Sequence, residues 1–159
     1  MEKSKEKQVF ALALEVFLPY RLSVLSNTVS NTIADFYAEK FRLSIPQWRV
    51  LAVLGRKPGL SAGELAERIA MDKVAVSRAI AGLIKAGRVK RRFASNDKRR
   101  SILELSPKGR EIYQAIAPDA ALYEKELIAT LTDGEREGLS DILDKLWEQA
   151  VKIKKSRIK

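Results

Sequence analysis

Apolar residues recur every three or four positions over most of this chain, the spacing that places them on one face of an α-helix. The clearest stripe lies in a long segment from about Pro19 to Glu39 and consists of Leu22, Leu25, Val29, Ile33 and Phe36. A short helix near 8–17 is predicted before it. Later helices are predicted at about 45–55, 62–69, 73–86, 107–130 and 133–153. The chain is therefore predicted to be mainly α-helical.

Several of these helices begin at a recognisable cap. Ser44, Ser61 and Thr132 each stand three residues before a Gln or Glu, the capping-box pattern in which the two side chains satisfy each other's backbone N–H groups. Ser106-Pro107 marks another start, because proline is tolerated at the first helical position. Pro118 lies inside the same segment and is expected to kink or split it.

After Gly87, a predicted helix C-cap, the apolar period changes. Residues 88–93 and 101–105 have the composition of two short strands, and residues 94–100 form a polar turn between them. The fold class predicted is mainly α with a small β-hairpin. Helix, short turn, helix and basic hairpin is the order of a winged helix-turn-helix, which binds DNA.

The second helix of this pair carries the strongest functional signal. Val76, Ile80 and Leu83 share one face and are predicted to pack inward, whereas the outward residues near the helix start are Lys73, Val74, Ala75, Ser77 and Arg78. A small, cationic face suits entry into the major groove. The alternative is an ordinary amphipathic surface helix, whose outer face would normally carry Glu/Lys pairs. Ser61, at the start of the first helix of the pair, is a further candidate DNA contact.

The charge is concentrated where this interface is predicted. Of a net charge of +10, residues 46–105 contribute +9, while residues 106–150 carry −5. The hairpin candidates for DNA contact are Lys98, Arg99 and Arg100, with an arginine reaching the minor groove. Asp97 is expected to orient Arg99 by a charge-assisted hydrogen bond. The alternative is a solvated charge run without function.

Catalysis and membrane insertion find little support in the composition. The chain has no Cys and no His, so thiolate chemistry and the commonest general base and metal ligand are absent. No catalytic residue, cofactor or metal site is predicted. No apolar run approaches the length of a membrane span, and no signal peptide is recognised. A cytoplasmic protein is expected.

Residues 18–150 resemble the MarR (multiple antibiotic resistance regulator) family. The motifs are Leu65–Ile69, Val76-Ser-Arg78, Leu83–Gly87, Asp97-Lys-Arg-Arg100 and Leu105-Ser-Pro-Lys-Gly109. The resemblance implies one domain over 1–159, with a DNA-binding lobe at 45–105 and dimerisation helices at 8–40 and 107–153. It also implies a homodimer on a palindromic operator. The lack of Cys departs from the peroxide-sensing branch of the family and rules out release by cysteine oxidation.

The resemblance further implies a ligand pocket between the dimerisation helices and the lobe. Tyr20, Arg21 and Trp48 would suit an aromatic carboxylate or its thioester there, and the function predicted is then a repressor released by such a ligand. The alternative for these residues is a structural role, with Tyr20 and Trp48 in the core and Arg21 solvated. The alternative function is an architectural DNA-binding protein without ligand control.

Overall fold

The computed structural model describes residues 11–69, 71–94 and 97–157. Side chains are described for these ranges except at 94 and 97–100. The start of the helix predicted at 8–17, and the hairpin side chains of Asp97, Lys98, Arg99 and Arg100, therefore lie outside the described residues. The described residues divide into two compact units, the first ending at Ile116 and the second beginning at Ala117.

The elements follow the predicted order of helices and strands. The helices are α1 (Leu18–Asp35), α2 (Ala38–Phe41), α3 (Ile45–Arg56), α4 (Ala62–Ile69), α5 (Lys73–Lys85), α6 (Pro107–Leu127) and α7 (Asp133–Arg157). The strands are β1 (Val89–Ala94) and β2 (Asp97–Leu105), which pair antiparallel. A 3₁₀ turn, Ile128–Thr130, follows α6. The mainly α fold with a two-stranded hairpin is confirmed.

All three predicted capping boxes are present. Ser44 accepts a bond from the backbone N–H of Gln47, whose side chain accepts one in return. Ser61 and Glu64 exchange the same pair of bonds. At α7 the backbone N–H of Thr132 donates to Glu135 at 2.8 Å, and this bond holds the pKa of the Glu135 carboxyl below its ordinary value. These helices begin where local side-chain chemistry places them.

The N-terminal prediction was wrong in two respects. Residues 11–17 contain a turn and no helix, and α1 begins at Leu18 with Pro19 in its first turn, where the missing N–H costs nothing. The long helix ends at Asp35 rather than near Glu39. The chain leaves the helix at Tyr37, whose side chain is buried in the core, and resumes as the single turn of α2.

The hairpin and α6 also differ from the prediction. β2 is longer than expected, because residues 97–100 belong to it rather than to the turn, whereas β1 has the predicted length and lies one position later. A register shift lies between Phe93 and Ala94. Of the two effects predicted for Pro118, the split is wrong, since α6 runs unbroken from Pro107 to Leu127; the kink stays a prediction.

The hydrophobic core of the first unit lies between α3, α4, α5, the base of the hairpin and the start of α6. Its largest fully buried side chains are Tyr37, Leu51, Leu54, Leu65, Leu83, Leu103, Ile116, Val50 and Val76. By contrast, α1 and α7 contain no buried residue. Within the described parts of the chain, no helix has the length and apolar character needed to cross a membrane.

Candidate nucleic-acid interface

The second helix of the helix-turn-helix, α5, is held by its apolar face. Val76, Ile80 and Leu83 are each at most 2% exposed, as the sequence predicts. Ala79, also buried, completes this face. The large side chains bury enough apolar surface to fix the rotation of α5 about its axis, and this rotation decides which residues face solvent.

The first two turns of α5 present the opposite face. Lys73, Val74, Ser77 and Arg78 are exposed and Ala75 is half-buried. Asp72 caps the helix, since its carboxylate accepts bonds from the backbone N–H groups of Val74 and Ala75 at 2.9 and 3.0 Å. The surface predicted to meet DNA is therefore accessible and carries two cations.

Ser61 has a structural role in this lobe. Its hydroxyl donates to the Glu64 carboxylate at 2.7 Å and accepts from the Glu64 backbone N–H at 3.3 Å. It thereby fixes the start of α4, and any contact between Ser61 and DNA stays a prediction.

The end of α5 is joined to the hairpin and to α6 by a compact set of bonds. Gly87 takes φ +68, a left-handed conformation that suits glycine at a helix end. The backbone N–H of Ser106 donates to the carbonyl of Arg88 at 3.0 Å. A Cβ added at Gly109 would overlap that same carbonyl oxygen, so only glycine fits there. The Leu-Ser-Pro-x-Gly sequence thus fixes the base of the hairpin against the first turn of α6.

Arg88 extends this joint across the lobe. Its guanidinium Nη2 donates to the carbonyl of Phe41, the last residue of α2, at 2.6 Å. Its Nε is buried and has no hydrogen-bond partner among the residues that the structure describes. Arg88 lies in a basic run, which in the sequence alone indicates a solvated cation and gives no sign of this joint.

The hairpin continues this basic surface outward. Side chains alternate along β1, so that Val89, Arg91 and Phe93 share one face. Val89 is buried at the base, whereas Phe93 is 67% exposed. On the other face the Nε of Arg92 lies 3.6 Å from an Oε of Glu104; Arg92 is exposed and Glu104 half-buried, so solvent screens the pair and it contributes little stability. Phe93 is a candidate contact that the sequence analysis missed.

The three candidate ligand residues are not brought together within one chain. Tyr20 and Arg21 are exposed on α1 and line a shallow open hollow with other residues between Glu15 and Thr28. Trp48 lies on α3, and its neighbour Arg49 donates a hydrogen bond of 3.0 Å to Ser30, which lies on α1 as Tyr20 and Arg21 do. Ten residues of helix separate Tyr20 from Ser30, roughly 15 Å.

Trp48 instead belongs to an aromatic cluster. Its ring stacks on Tyr113 of α6 at 6.1 Å between centroids and lies 5.5 Å from Tyr37. These contacts favour the structural role for Trp48 over a role in ligand binding. Tyr20, by contrast, is exposed and is not part of the core. Tyr37 is 1% exposed, and burial raises its pKa to about 12, against a smaller lowering by the charge of Arg49.

Residues 43–100, which contain α3 to α5 and most of the hairpin, match the model described as the MarR family. A crystal structure of a MarR-family transcriptional regulator from Silicibacter pomeroyi has the same fold, with a TM-score of 0.73 and 27% identity over 86% of this chain and 94% of that one. Over residues 43–100 the chain is similar to the MarR family.

Two further similarities bear on the MarR-type lobe. The HTH-type transcriptional regulator BilQ of Clostridium symbiosum is 30% identical over 93 residues, which are 58% of this chain and 65% of that protein. The structure described as an S. aureus MepR–DNA complex shares the fold, with a TM-score of 0.76 and 20% identity over 86% and 98% of the two chains. The chain spans less than two thirds of the length of the first two curated relatives, 65% and 60%.

Proposed function

We propose that this protein is a sequence-specific regulator of transcription that binds double-stranded DNA through α5 and the hairpin. The observation that carries the proposal is the division of α5 into a buried apolar face and an exposed face of small and cationic residues. The major groove is about 12 Å wide and admits one helix. Ser77 and Arg78 would contact base edges, while Lys73 would neutralise a phosphate.

Electrostatics supports the same partner. Residues 46–105 carry a net +9, and on β1 Lys90, Arg91 and Arg92 are exposed. Such a surface attracts a polyanion over several ångströms and makes the affinity fall with salt. The MarR-family regulator of known structure and the MepR–DNA complex, which share this fold, support duplex DNA as that polyanion.

A homodimer is the second part of the proposal. The apolar residues of α1 are uncovered in this chain, with Leu22 at 40% and Leu25 at 56% exposed. On α7 the exposed apolar residues are Leu139, Ile142, Leu143, Leu146 and Trp147. A twofold partner that covered these stripes would place two α5 helices on successive turns of one duplex face, about 34 Å apart. The operator would then be palindromic. As a regulator of transcription, the protein would act in the cytoplasm.

Ligand control is the third part. We propose a repressor that an anionic aromatic ligand releases, with Arg21 as the side chain that meets its carboxylate, because a guanidinium matches that group in two bonds. Tyr20 lies beside Arg21 in the same hollow. The second candidate function is an architectural DNA-binding protein, which would use the same basic surface without sequence preference and without a ligand.

Selection from a random duplex pool separates the two candidates. The full-length protein is mixed with 30-base-pair random duplexes, and bound fragments are sequenced over successive rounds. Enrichment of one palindrome is expected for the regulator. An unenriched pool would support the architectural role, and absence of binding at low salt would contradict both. Ser77→Ala and Arg78→Ala should each reduce discrimination between the selected site and random DNA, by about 1 to 3 kcal/mol for a base contact.

A further inference from the structure

Val74 stands out among the large apolar residues of α5 because it is exposed. Its side chain is 54% accessible, in the first turn of the helix. The other large apolar side chains of α5 are Val76, Ile80, Leu83 and Ile84, and each is buried or half-buried. Packing within the chain therefore gives no reason for an apolar residue at this position.

Local helix energetics gives no reason either. Valine is a poorer helix former than alanine, since its branched Cβ loses side-chain freedom in a helix. The cap of α5 uses the backbone N–H of Val74, which donates to Asp72 at 2.9 Å, and any residue except proline supplies that group. A valine here costs helix stability and exposes two methyl groups to water.

The proposed binding mode supplies a reason. In the major groove the edges of the bases present hydrogen-bond donors and acceptors, and the one apolar group among them is the C5-methyl of thymine. Val74 precedes Ser77 and Arg78 by three and four residues, so the three side chains lie on neighbouring positions of one helix face. An exposed apolar group on that face has one chemical counterpart in the groove.

We infer that Val74 reads the C5-methyl group of a pyrimidine, a thymine in each half-site of the operator. The inference rests on the proposed function and names the base feature that this residue distinguishes. The contact would bury the Val74 methyl groups against the thymine methyl and contribute about fourfold in affinity for each methyl covered. The same C5-methyl group occurs on 5-methylcytosine, so Val74 could contact it on either base, thymine or 5-methylcytosine.

The test uses the palindrome selected by the parent protein. Uracil, which lacks only the methyl, replaces each thymine of a half-site in turn, and the dissociation constant is measured for the parent and for Val74→Ala. The parent should lose about fourfold at one thymine position. Val74→Ala should bind the parent operator more weakly and show no loss at that position. Alanine is the better helix former, so the variant should retain the circular dichroism spectrum and thermal midpoint of the parent.

Phe93→Ala is the matched control, because it also removes an exposed apolar side chain from the same lobe. It should retain the uracil penalty that Val74→Ala loses. A second arm replaces the critical T·A pair with C·G or with 5-methylcytosine·G, and methylation should restore part of the affinity lost by cytosine only when Val74 is present.

Two results would overturn the inference while leaving the proposed function intact. One is a parent that selects an operator but shows no uracil penalty at any position. The other is a penalty that persists unchanged in Val74→Ala. A parent that enriches no sequence at all would contradict the proposed regulator and the inference together.

Discussion

The hydroxyl of Ser106 donates a hydrogen bond of 2.7 Å to the carbonyl of Gly87, although 19 residues separate them. Ser106 is 3% exposed, and the same hydroxyl accepts from the backbone N–H of Gly109 at 3.0 Å. One side chain therefore forms hydrogen bonds with the backbone at the end of α5 and at the start of α6. The orientation of α5 relative to the hairpin, on which the proposed DNA binding depends, is fixed at this joint.

Gly109→Ala should destabilise the lobe strongly. The added Cβ would overlap the Arg88 carbonyl oxygen, a backbone atom that cannot rotate away, and overpacking of this kind costs about 3 kcal/mol. The measurement is the free energy of unfolding in urea. Gly63→Ala is the control, since a Cβ there meets no atom within 4 Å, and it should be neutral or stabilising by up to about 1 kcal/mol. Equal effects in the two variants would contradict this account of the joint.

Much of the lobe could be predicted because its determinants are local. The Ser44–Gln47 capping box lies within four residues, and the spacing of Val76, Ile80 and Leu83 identifies the buried face of α5 without knowledge of its partners. The ends of the strands were less well predicted, because pairing between β1 and β2 extends the ladder into residues whose sequence resembles a turn.

The features that could not be predicted from the sequence depend on contacts between residues far apart in the chain. The end of α1 is decided by the burial of Tyr37 beside Trp48, a contact that no local pattern encodes. The bond from Arg88 to Phe41 joins residues 47 apart. The sequence does not separate the two roles open to Trp48, because an aromatic residue of a ligand pocket and one of a core have the same helical spacing.

Stability should fall at alkaline pH because of Tyr37. Burial raises its pKa to about 12, above its value of about 10 in an unfolded chain. The folded state therefore holds this proton more tightly, so its contribution to stability is complete below pH 10 and is lost as the pH rises towards 12. The free energy of unfolding should decrease with pH in that range, and the decrease should be shallower in Tyr37→Phe.

The same variant tests the environment of the hydroxyl. Tyr37 Oη has no hydrogen-bond partner among the described residues, so its removal should leave stability at pH 7 unchanged or higher. A loss of more than about 1 kcal/mol would indicate a bond that the hydroxyl makes in solution. Identical pH profiles for the two proteins would contradict the role of Tyr37 in the alkaline transition.

Leu143→Glu should convert the proposed dimer into monomers. The residue is 46% exposed on α7, and a dimer that covers it would bury an unpaired charge in the variant. Sedimentation equilibrium at micromolar concentration measures the mass. Gln149→Glu adds the same charge to an exposed polar position of α7 and should remain dimeric. A parent that sediments as a monomer would exclude the dimer.

Arg99→Ala should weaken binding to operator and random DNA alike. The hairpin arginine is proposed to lie against phosphates or in the minor groove, so its loss should reduce the slope of log affinity against log salt by about 0.9 for each protomer. Phe93→Ala should lower affinity without changing that slope, because no charge is removed. A parental slope in Arg99→Ala would exclude a DNA contact at this position. Asp97→Asn should reproduce part of the Arg99→Ala effect if Asp97 orients that arginine.

Arg21→Ala should leave operator affinity nearly unchanged but make the complex resistant to an anionic effector. A ligand releases DNA only if it binds more tightly to a conformation that binds DNA poorly. Removing the side chain that meets its carboxylate should abolish this difference in ligand affinity between the two conformations. Operator binding is measured for both proteins across titrations of benzoate-type acids and their thioesters. Arg42→Ala, which removes a cation outside the Tyr20–Arg21 hollow, should respond as the parent does. A parental response in Arg21→Ala would exclude Arg21 as the ligand contact, and a parent that none of these compounds releases would exclude this class of effector.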